Sequence, residues 1–360
     1  MNNFKKVLSL LLCVLMITAS VSCSDNAVET ENQPSNNDTS TSSETQPETL
    51  AYLDDLPDNL NYNGQKIRFA VQNDMRSIYV DEEEDDIADI VIEAVWKRNN
   101  TIEDRLNIEF EVSDQIGYGE YNEFVMKSIQ ASSDDYDVFQ GHARFQINLA
   151  SLGAMKNLDN IENLDLKKEY WGQDYINNIS YKDIHYWATG ELSLSYVSLI
   201  YCIIANNDFF NQLYPGQKLY DYVNEGKWTL DTFESFISNA YIDYNGNGKT
   251  DSDDRFGVWM HDGHVFNGMM FASNIAFTKW DSDGLPSVGV DNEHTYNALE
   301  HLGKIFKDNP SCYMASNNDT TNYLEMFVQQ KILFYPNTLG AIEDDFLRNM
   351  NEDFCLLPYP

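Results

Sequence analysis

One apolar stretch constrains this chain more than any other. It spans residues 196–205 and reads YVSLIYCIIA. A membrane-spanning helix needs about 20 apolar residues, so the run is too short to cross a bilayer. It is rich in β-branched and aromatic residues, among them Tyr196, Val197, Ile200, Tyr201, Ile203 and Ile204, and it does not alternate with polar ones. Such a run reads as a strand buried on both faces. Asn206, Asn207 and Asp208 stop it, and any of the three can cap a helix that begins at Phe209. One α/β set precedes the run and another follows it. It therefore reads as the crossover between two lobes.

The N-terminus reads as an address, not as part of the fold. Lys5 and Lys6 precede an apolar run over residues 7–17, followed by small residues and Cys23. This is the layout of a signal peptide over residues 1–22. Ser20-Val21-Ser22-Cys23 resembles a bacterial lipobox, with Ser20 departing from the usual leucine. On that reading Cys23 is the acylated first residue of the mature protein. Ordinary secretory cleavage near Ser22 is the alternative. Residues 23–57 are dominated by Ser, Thr, Asn, Gln, Pro and Glu. Such a segment buries too little apolar surface to offset its ordering entropy, and is expected to be a disordered tether.

Charge excludes one class of partner. The formal net charge is −35. A nucleic-acid partner is excluded, because the phosphate-binding contribution would be repulsive. Beyond Cys13 in the leader and Cys23, only Cys202, Cys312 and Cys355 remain, an odd and sparse set that makes no disulfide framework. Cys202 falls in the apolar run and reads as inert packing.

From Asn63-Gly64, a turn signal, the chain alternates between two periods. Residues 66–71 (KIRFAV) read as a strand. After the acidic residues 82–86, apolar side chains at Ile87, Ile90, Val91, Ala94, Val95, Ile102 and Leu106 share one helix face. Asn107 can end that helix, and residues 108–112 read as a second strand. Tyr121, Phe124, Val125 and Ile129 mark the next helix. Residues 136–139 form a short strand, and a further helix ends near Gly153, a good residue for the left-handed position beyond a helix. Strand and helix in strict succession predict a parallel α/β sheet.

This alternation, the segment YDVFQGHARFQINLASLGAMKNL, the crossover followed by NNDFF, then KWTLDTFESF, DDRFG and the late KILFYPNTLG…LRNMNEDFCLLPYP together resemble the extracellular solute-binding proteins of bacterial ABC importers, in particular the family 1 sugar binders. The resemblance covers Asn63 to the end. It implies an α/β, two-lobe periplasmic-binding-protein-like (type II) fold, with lobes over residues 58–200 and 201–360. In that family the chain continues past the segment matching LLPYP, so the second lobe is expected to be incomplete here. The implied function is capture of a carbohydrate, an oligosaccharide, between the lobes by a lipid-anchored monomer, for delivery to the membrane subunits of an ABC permease. The expected location is extracytoplasmic, on the cell membrane, and no catalytic activity is expected. A secreted glycan-active enzyme or a surface carbohydrate adhesin is the alternative; an enzyme would need a positioned carboxylate pair, an adhesin no lobe closure.

Two motifs could carry metal chemistry. Residues 243–254 fit the twelve-residue calcium loop, with oxygen donors from Asp243, Asn245, Asn247, the Lys249 carbonyl, Asp251 and Asp254, and with Gly248 at the turn. Position twelve is Asp, as in dockerin-like loops, and a strand rather than a helix follows. The expected Ca2+ is structural, and an Asx-rich turn without metal is the alternative. His261 and His264 could chelate zinc, but spacing shows no third ligand; a polar ligand-facing loop is the preferred reading.

The expected ligand site uses the carboxyl ends of strands, where open α/β sheets bind small molecules. In the first lobe these ends present Asn73 and Asp74, then His142, Arg144 and Phe145. Tyr196 opens the crossover. In the second lobe they present Trp259 and His261, then Tyr335 and Asn337. Aromatic faces stack on sugar rings while Asn, Asp, Arg and His bond hydroxyls. Trp259 is the foremost stacking candidate, against the simpler reading that Trp259 and Tyr335 are core and Arg144 a surface charge.

Overall fold

The chain before residue 200 builds a small parallel sheet whose first three helices each end at a residue with positive φ. The computed structural model describes residues 56–73, 90–261, 263–307, 309–316 and 321–360. The leader, most of the tether, Cys23 and Asp74 lie outside these residues. Among them, Leu56–Pro360 form one compact unit. A turn at Asn63 and Gly64, both at positive φ, leads into β1 (Gln65–Gln72). Helix α1 (Ile90–Leu106) ends at Asn107, whose φ of 51° turns the chain into β2 (Ile108–Ile116). Helix α2 (Tyr121–Ala131) buries Tyr121 and Val125, one turn apart. After β3 (Val138–Gln140), α3 (Ala143–Ser151) closes with Gly153 at φ 73°, its N–H donating to the Ala150 carbonyl at 3.0 Å.

The three strands run parallel in the order β2-β1-β3. Arg68 on β1 clamps the entry to β3. Its Nε and an Nη donate to the two oxygens of Asp137 at 3.0 and 2.9 Å, and its backbone N–H donates to the same carboxylate at 2.8 Å. These bonds hold the Asp137 carboxyl below the usual carboxylate range.

Helices α4 (Gln173–Ile179) and α5 (Leu194–Ser198) follow. Here the expected long strand is corrected. Residues 196–198 are helical, and the strand β4 begins only at Tyr201 and ends at Asn206. Val197, Leu199 and Ile200 are exposed. β-Branched and aromatic composition favours a pleated surface only where neighbouring strands are present to pack on; the first ladder partner, Thr338, meets Tyr201.

From Tyr201 the expectation holds. Cys202, Ile203, Ile204, Ala205 and Asn206 are all buried. Alternate residues serve two cores: Ile203 and Ala205 join a large cluster around Phe233 and Phe334, while Cys202 and Ile204 join one around Trp259 and Phe327. The elements that supply this cover are α6 (Asn207–Leu213), α7 (Leu219–Asn224), α8 (Leu230–Ser238), β5 (Phe256–His261), α9 (His264–Ala272), the hairpin of β6 (Thr278–Trp280) and β7 (Pro286–Val288), α10 (Glu293–Phe306), β8 (Cys312–Ala315), α11 (Tyr323–Val328), β9 (Ile332–Thr338), α12 (Asp345–Arg348) and β10 (Phe354–Leu357). The sheet order is β10-β4-β9-β5-β8. β4 is antiparallel to both neighbours, whereas β9, β5 and β8 run parallel. The second sheet is thus mixed.

Two close fits lock this half. Thr229 caps α8, its hydroxyl accepting from the Thr232 N–H at 3.3 Å. Gly257 on β5 lets α8 approach so closely that a Cβ there would stand 2.3 Å from the Ile237 carbonyl oxygen. Cys202, Cys312 and Cys355 are free and buried, and burial pushes each thiol pKa up, that of Cys202 to about 11. Among the described residues no helix is long and apolar enough to cross a membrane.

Asn206 joins three of these elements. Fully buried, it accepts from the Phe209 N–H at 2.9 Å to cap α6 and donates to the Phe327 carbonyl at 3.0 Å. Asn206→Ala removes the cap and orphans a buried carbonyl. It is expected to cost about 2–4 kcal/mol, seen as a lowered urea midpoint with an unchanged slope; an unchanged midpoint would contradict this role.

Candidate functional site

The parallel strands of each sheet end in a cluster of aromatic and polar side chains. In the first sheet, Asn73 follows β1, Tyr118 follows β2, and His142 and Arg144 follow β3. His142 caps α3: its Nδ1 accepts from the Arg144 N–H at 3.3 Å, and its own N–H donates to Oε1 of the buried Gln72 at 3.3 Å. The Arg144 guanidinium lies 5.2 Å from the ring centres of both Tyr118 and Phe145. Asn73 and Arg144 are exposed, and Tyr118 is 39% exposed. Phe145 is buried, stacked on Tyr121 at 5.8 Å. It forms the floor beneath Tyr118 and Arg144.

In the second sheet, alternation decides which way each ring points. Trp259 and Tyr335 stand on the same face of neighbouring strands β5 and β9. They stack at 4.9 Å with 26° between ring planes. Tyr323 packs on Trp259 at 4.8 Å, and His261 lies 6.0 Å away. Trp259 and Tyr335 are each only 6% exposed. Burial pushes the Tyr335 hydroxyl up to about 12, and Asn337 donates to that hydroxyl at 2.9 Å. His261 and Asn337 are half-buried at the mouth of the cluster, and the His261 Nδ1 accepts from the Gly263 N–H at 3.0 Å.

The structure therefore groups the expected residues into two sets: Asn73, His142, Arg144 and Phe145 in one, Trp259, His261, Tyr335 and Asn337 in the other. Tyr196 joins neither set by contact; it sits on α5, 38% exposed, with its ring over Gly172, where a Cβ would come within 2.7 Å. Tyr118, Gln72 and Tyr323 complete the two sets and were not foreseen. Only Tyr118 carried a sequence signal, as an aromatic residue between two glycines just past a strand.

Two acidic sites lie elsewhere. Residues 243–254 form a loop between α8 and β5, closed by a bridge between Ile242 and Arg255. Asp231 and Glu234 on α8 and His301 on α10 bring their donor atoms within 4.8 Å of one another, with His301 Nε2 3.3 Å from Asp231. That set borders a shallow concavity of about 340 Å³ lined by Leu230, Ala272, His294 and Pro360 among others.

No protein-family model matches the chain, and no curated protein matches it. Solved structures do. A cyclo/maltodextrin-binding protein complexed with maltotetraose matches with a TM-score of 0.54 and 14% identity, over 82% of this chain and 65% of its own. The chain has the periplasmic-binding-protein-like α/β fold. Two further structures match more loosely. The GacH receptor of Streptomyces glaucescens, solved unliganded and with acarbose, gives a TM-score of 0.49 at 13% identity, over 82% of this chain and 67% of its own. An ABC substrate-binding protein from Listeria monocytogenes, in complex with cycloalternan, gives 0.48 at 13% identity, over 81% and 66%. The chain thus spans about two thirds of the length of these structures. In a periplasmic-binding-protein-like sheet the carboxyl ends of parallel strands are where a ligand finds unpaired backbone and free side chains. Both sets occupy such ends.

Burial divides the labour within the second set. A ring with 6% exposure has no open face, so Trp259 supports the cluster, while His261 and Asn337 stand half-buried at its edge, the Asn337 amide bonded to the Tyr335 hydroxyl and to the Thr338 N–H. Trp259→Ala is expected to cost about 3–5 kcal/mol of folding stability, read from denaturant unfolding, with Trp259→Phe recovering most of the loss. Full stability of the alanine variant would show that the ring is not core.

Proposed function

We propose that this chain is a lipid-anchored extracellular binding protein that captures an oligosaccharide between two lobes, residues 58–200 and 201–360, and passes it to an ABC permease. The observation that carries the reading is the exposed Tyr118–Arg144 pair, backed by His142, at the carboxyl ends of the parallel first sheet in a periplasmic-binding-protein-like fold. An aromatic ring beside a guanidinium offers what a sugar needs: a face for the apolar side of the ring and fixed donors for hydroxyls. The Arg144 fork is a donor only, so hydroxyl oxygens or acetal oxygens are its natural partners. The structure matched at a TM-score of 0.54 holds maltotetraose, and two looser matches hold acarbose and cycloalternan. The maltotetraose of the first of these makes gluco-oligosaccharides the first class to test. Binding without turnover is the proposed role. The leader over residues 1–22, the acylated Cys23 and the polar tether over 23–57 would hold the binding unit at the outer face of the membrane.

Calorimetric titration with linear and cyclic gluco-oligosaccharides, with product release monitored, tests the reading. One saturable site without released product is expected. Arg144→Ala should weaken that binding about tenfold or more, the scale of losing a hydrogen bond to a charged group, and leave the thermal midpoint unchanged because the side chain is exposed. Full affinity in that variant would remove Arg144 from the site, and absence of binding across the panel would overturn the carbohydrate assignment.

The anchor has its own test. Two or more acyl chains hold a protein stably on a membrane. Cys23→Ala should release the protein to the medium, seen by fractionation; retention in the membrane fraction would contradict acylation at Cys23.

A further inference from the structure

The loop over residues 243–254 takes no part in the proposed sugar site, yet its donor set is that of a cation cage. Backbone bonds between Ile242 and Arg255, at 3.1 and 3.0 Å, tie its two ends together. Oxygen-bearing side chains stand at positions one, three, five, nine and twelve: Asp243, Asn245, Asn247, Asp251 and Asp254. Lys249 brings a backbone carbonyl to position seven. Gly248, at position six, has φ 71° and donates its N–H to Asp243 Oδ2 at 2.9 Å, which draws the first carboxylate over the loop. The Asn247 amide donates to Asp251 at 2.7 Å and draws that carboxylate toward the loop centre.

These bonds would organise an empty Asx-rich turn equally well. Asp254 separates the two cases. It is fully buried. Its Oδ2 accepts from the Asp251 N–H at 3.2 Å and from the Tyr241 hydroxyl at 3.4 Å, so the carboxylate faces the loop. Its Oδ1 is buried and has no hydrogen-bond partner among the described residues. A buried carboxylate oxygen is costly unless a donor or a cation meets it. Among the described residues, no Lys or Arg pairs with Asp254 itself. Arg255 donates to the Ala240 carbonyl at 2.9 Å and lies over the Phe209 ring, and Lys331 reaches the Ser252 carbonyl at 3.4 Å.

We infer that the loop binds one calcium ion through Asp243, Asn245, Asn247, the Lys249 carbonyl, Asp251 and Asp254, with the orphaned Asp254 oxygen as the closing ligand. A cage of six oxygen-donating residues suits calcium over magnesium, which demands strict octahedral geometry and keeps its water. Aspartate at the twelfth position reaches less far than glutamate. The affinity expected is that of extracellular modules, roughly 0.1–1 mM. The ion would fix the entry to β5, the strand that ends in Trp259 and His261.

The test uses the purified protein stripped with EGTA, without sugar, so its outcome is independent of the carbohydrate assignment. Terbium, sensitised by Tyr241 and Tyr244, should luminesce and be displaced by calcium. Calcium should raise the thermal midpoint by mass action, and magnesium should raise it less. Asp243→Ala should abolish both effects. Asp254→Asn, which removes the uncompensated buried charge, should raise the midpoint of the metal-free protein and lose the further gain from calcium. Equal midpoints in calcium and EGTA with no displaceable terbium would overturn the site. So would a calcium effect that survives in Asp243→Ala, or one that magnesium matches, since either reports general screening of an acidic surface.

Discussion

A strand apolar on both faces must be covered on both, and the second half of this molecule follows from that demand. β4 presents Ile203 and Ala205 to one side and Cys202 and Ile204 to the other. Its partners in register obey the same division. Phe334 and Cys355, opposite Ala205, lie with Ala205 in one core, and Tyr335, opposite Ile204, lies with Ile204 in the other. A slip of one residue would send every one of these side chains to the wrong face. Asn206 then ends the strand by spending both ends of its amide on the next helix and on α11. The strand, its neighbours and the first helix beyond it are therefore fixed together.

The same alternation limits what the sheets can offer a ligand. Successive residues of β5 and β9 go to one core or the other, so Trp259 and Tyr335 are consumed in packing each other. What remains for recognition lies just past the strands, on turns and helix starts. There the polar groups are held by buried partners. Gln72, itself buried, accepts from the backbone of His142, and the buried Gln146 donates to the Tyr121 hydroxyl at 3.3 Å. These bonds keep the first turn of α3 in place, and with it Arg144 above Phe145. A ligand site of this kind is an exposed edge held in place by buried hydrogen bonds beneath it.

Much of this was legible in the sequence, and the limits have physical causes. The first sheet was read strand by strand, because amphipathic periods and the chain-reversing Asn107 and Gly153 are local signals. The start of β4 was not: residues 196–200 have strand composition but no strand beside them, and only the pairing partner, far along the chain, shows where the sheet begins. The hairpin of β6 and β7, exposed throughout, has too little apolar patterning to announce itself. Among site residues, the strand-end loops were found because topology places them, whereas the burial of Phe145 and Trp259 depends on which face of the strand or helix they occupy. Tyr323 enters through a tertiary contact that no spacing encodes.

Charge acts differently from packing in this chain. With Asp and Glu at 58 against 23 Lys and Arg, most acids have no cation to meet. The pairs that do form include Lys127–Glu123 and Lys304–Glu300, one helical turn apart and largely exposed. Such pairs add little to stability, because water screens them and two long side chains must be ordered. The fold is held instead by ring clusters such as Phe233, Phe334 and Trp228, packed within 6 Å of one another. Acidic groups can then gather on the surface at small cost so long as solvent reaches them. The exception is a carboxylate that packing takes out of water, as happens to Asp254. There one carboxylate oxygen meets no donor among the described residues, and the proposed calcium ion would answer that demand.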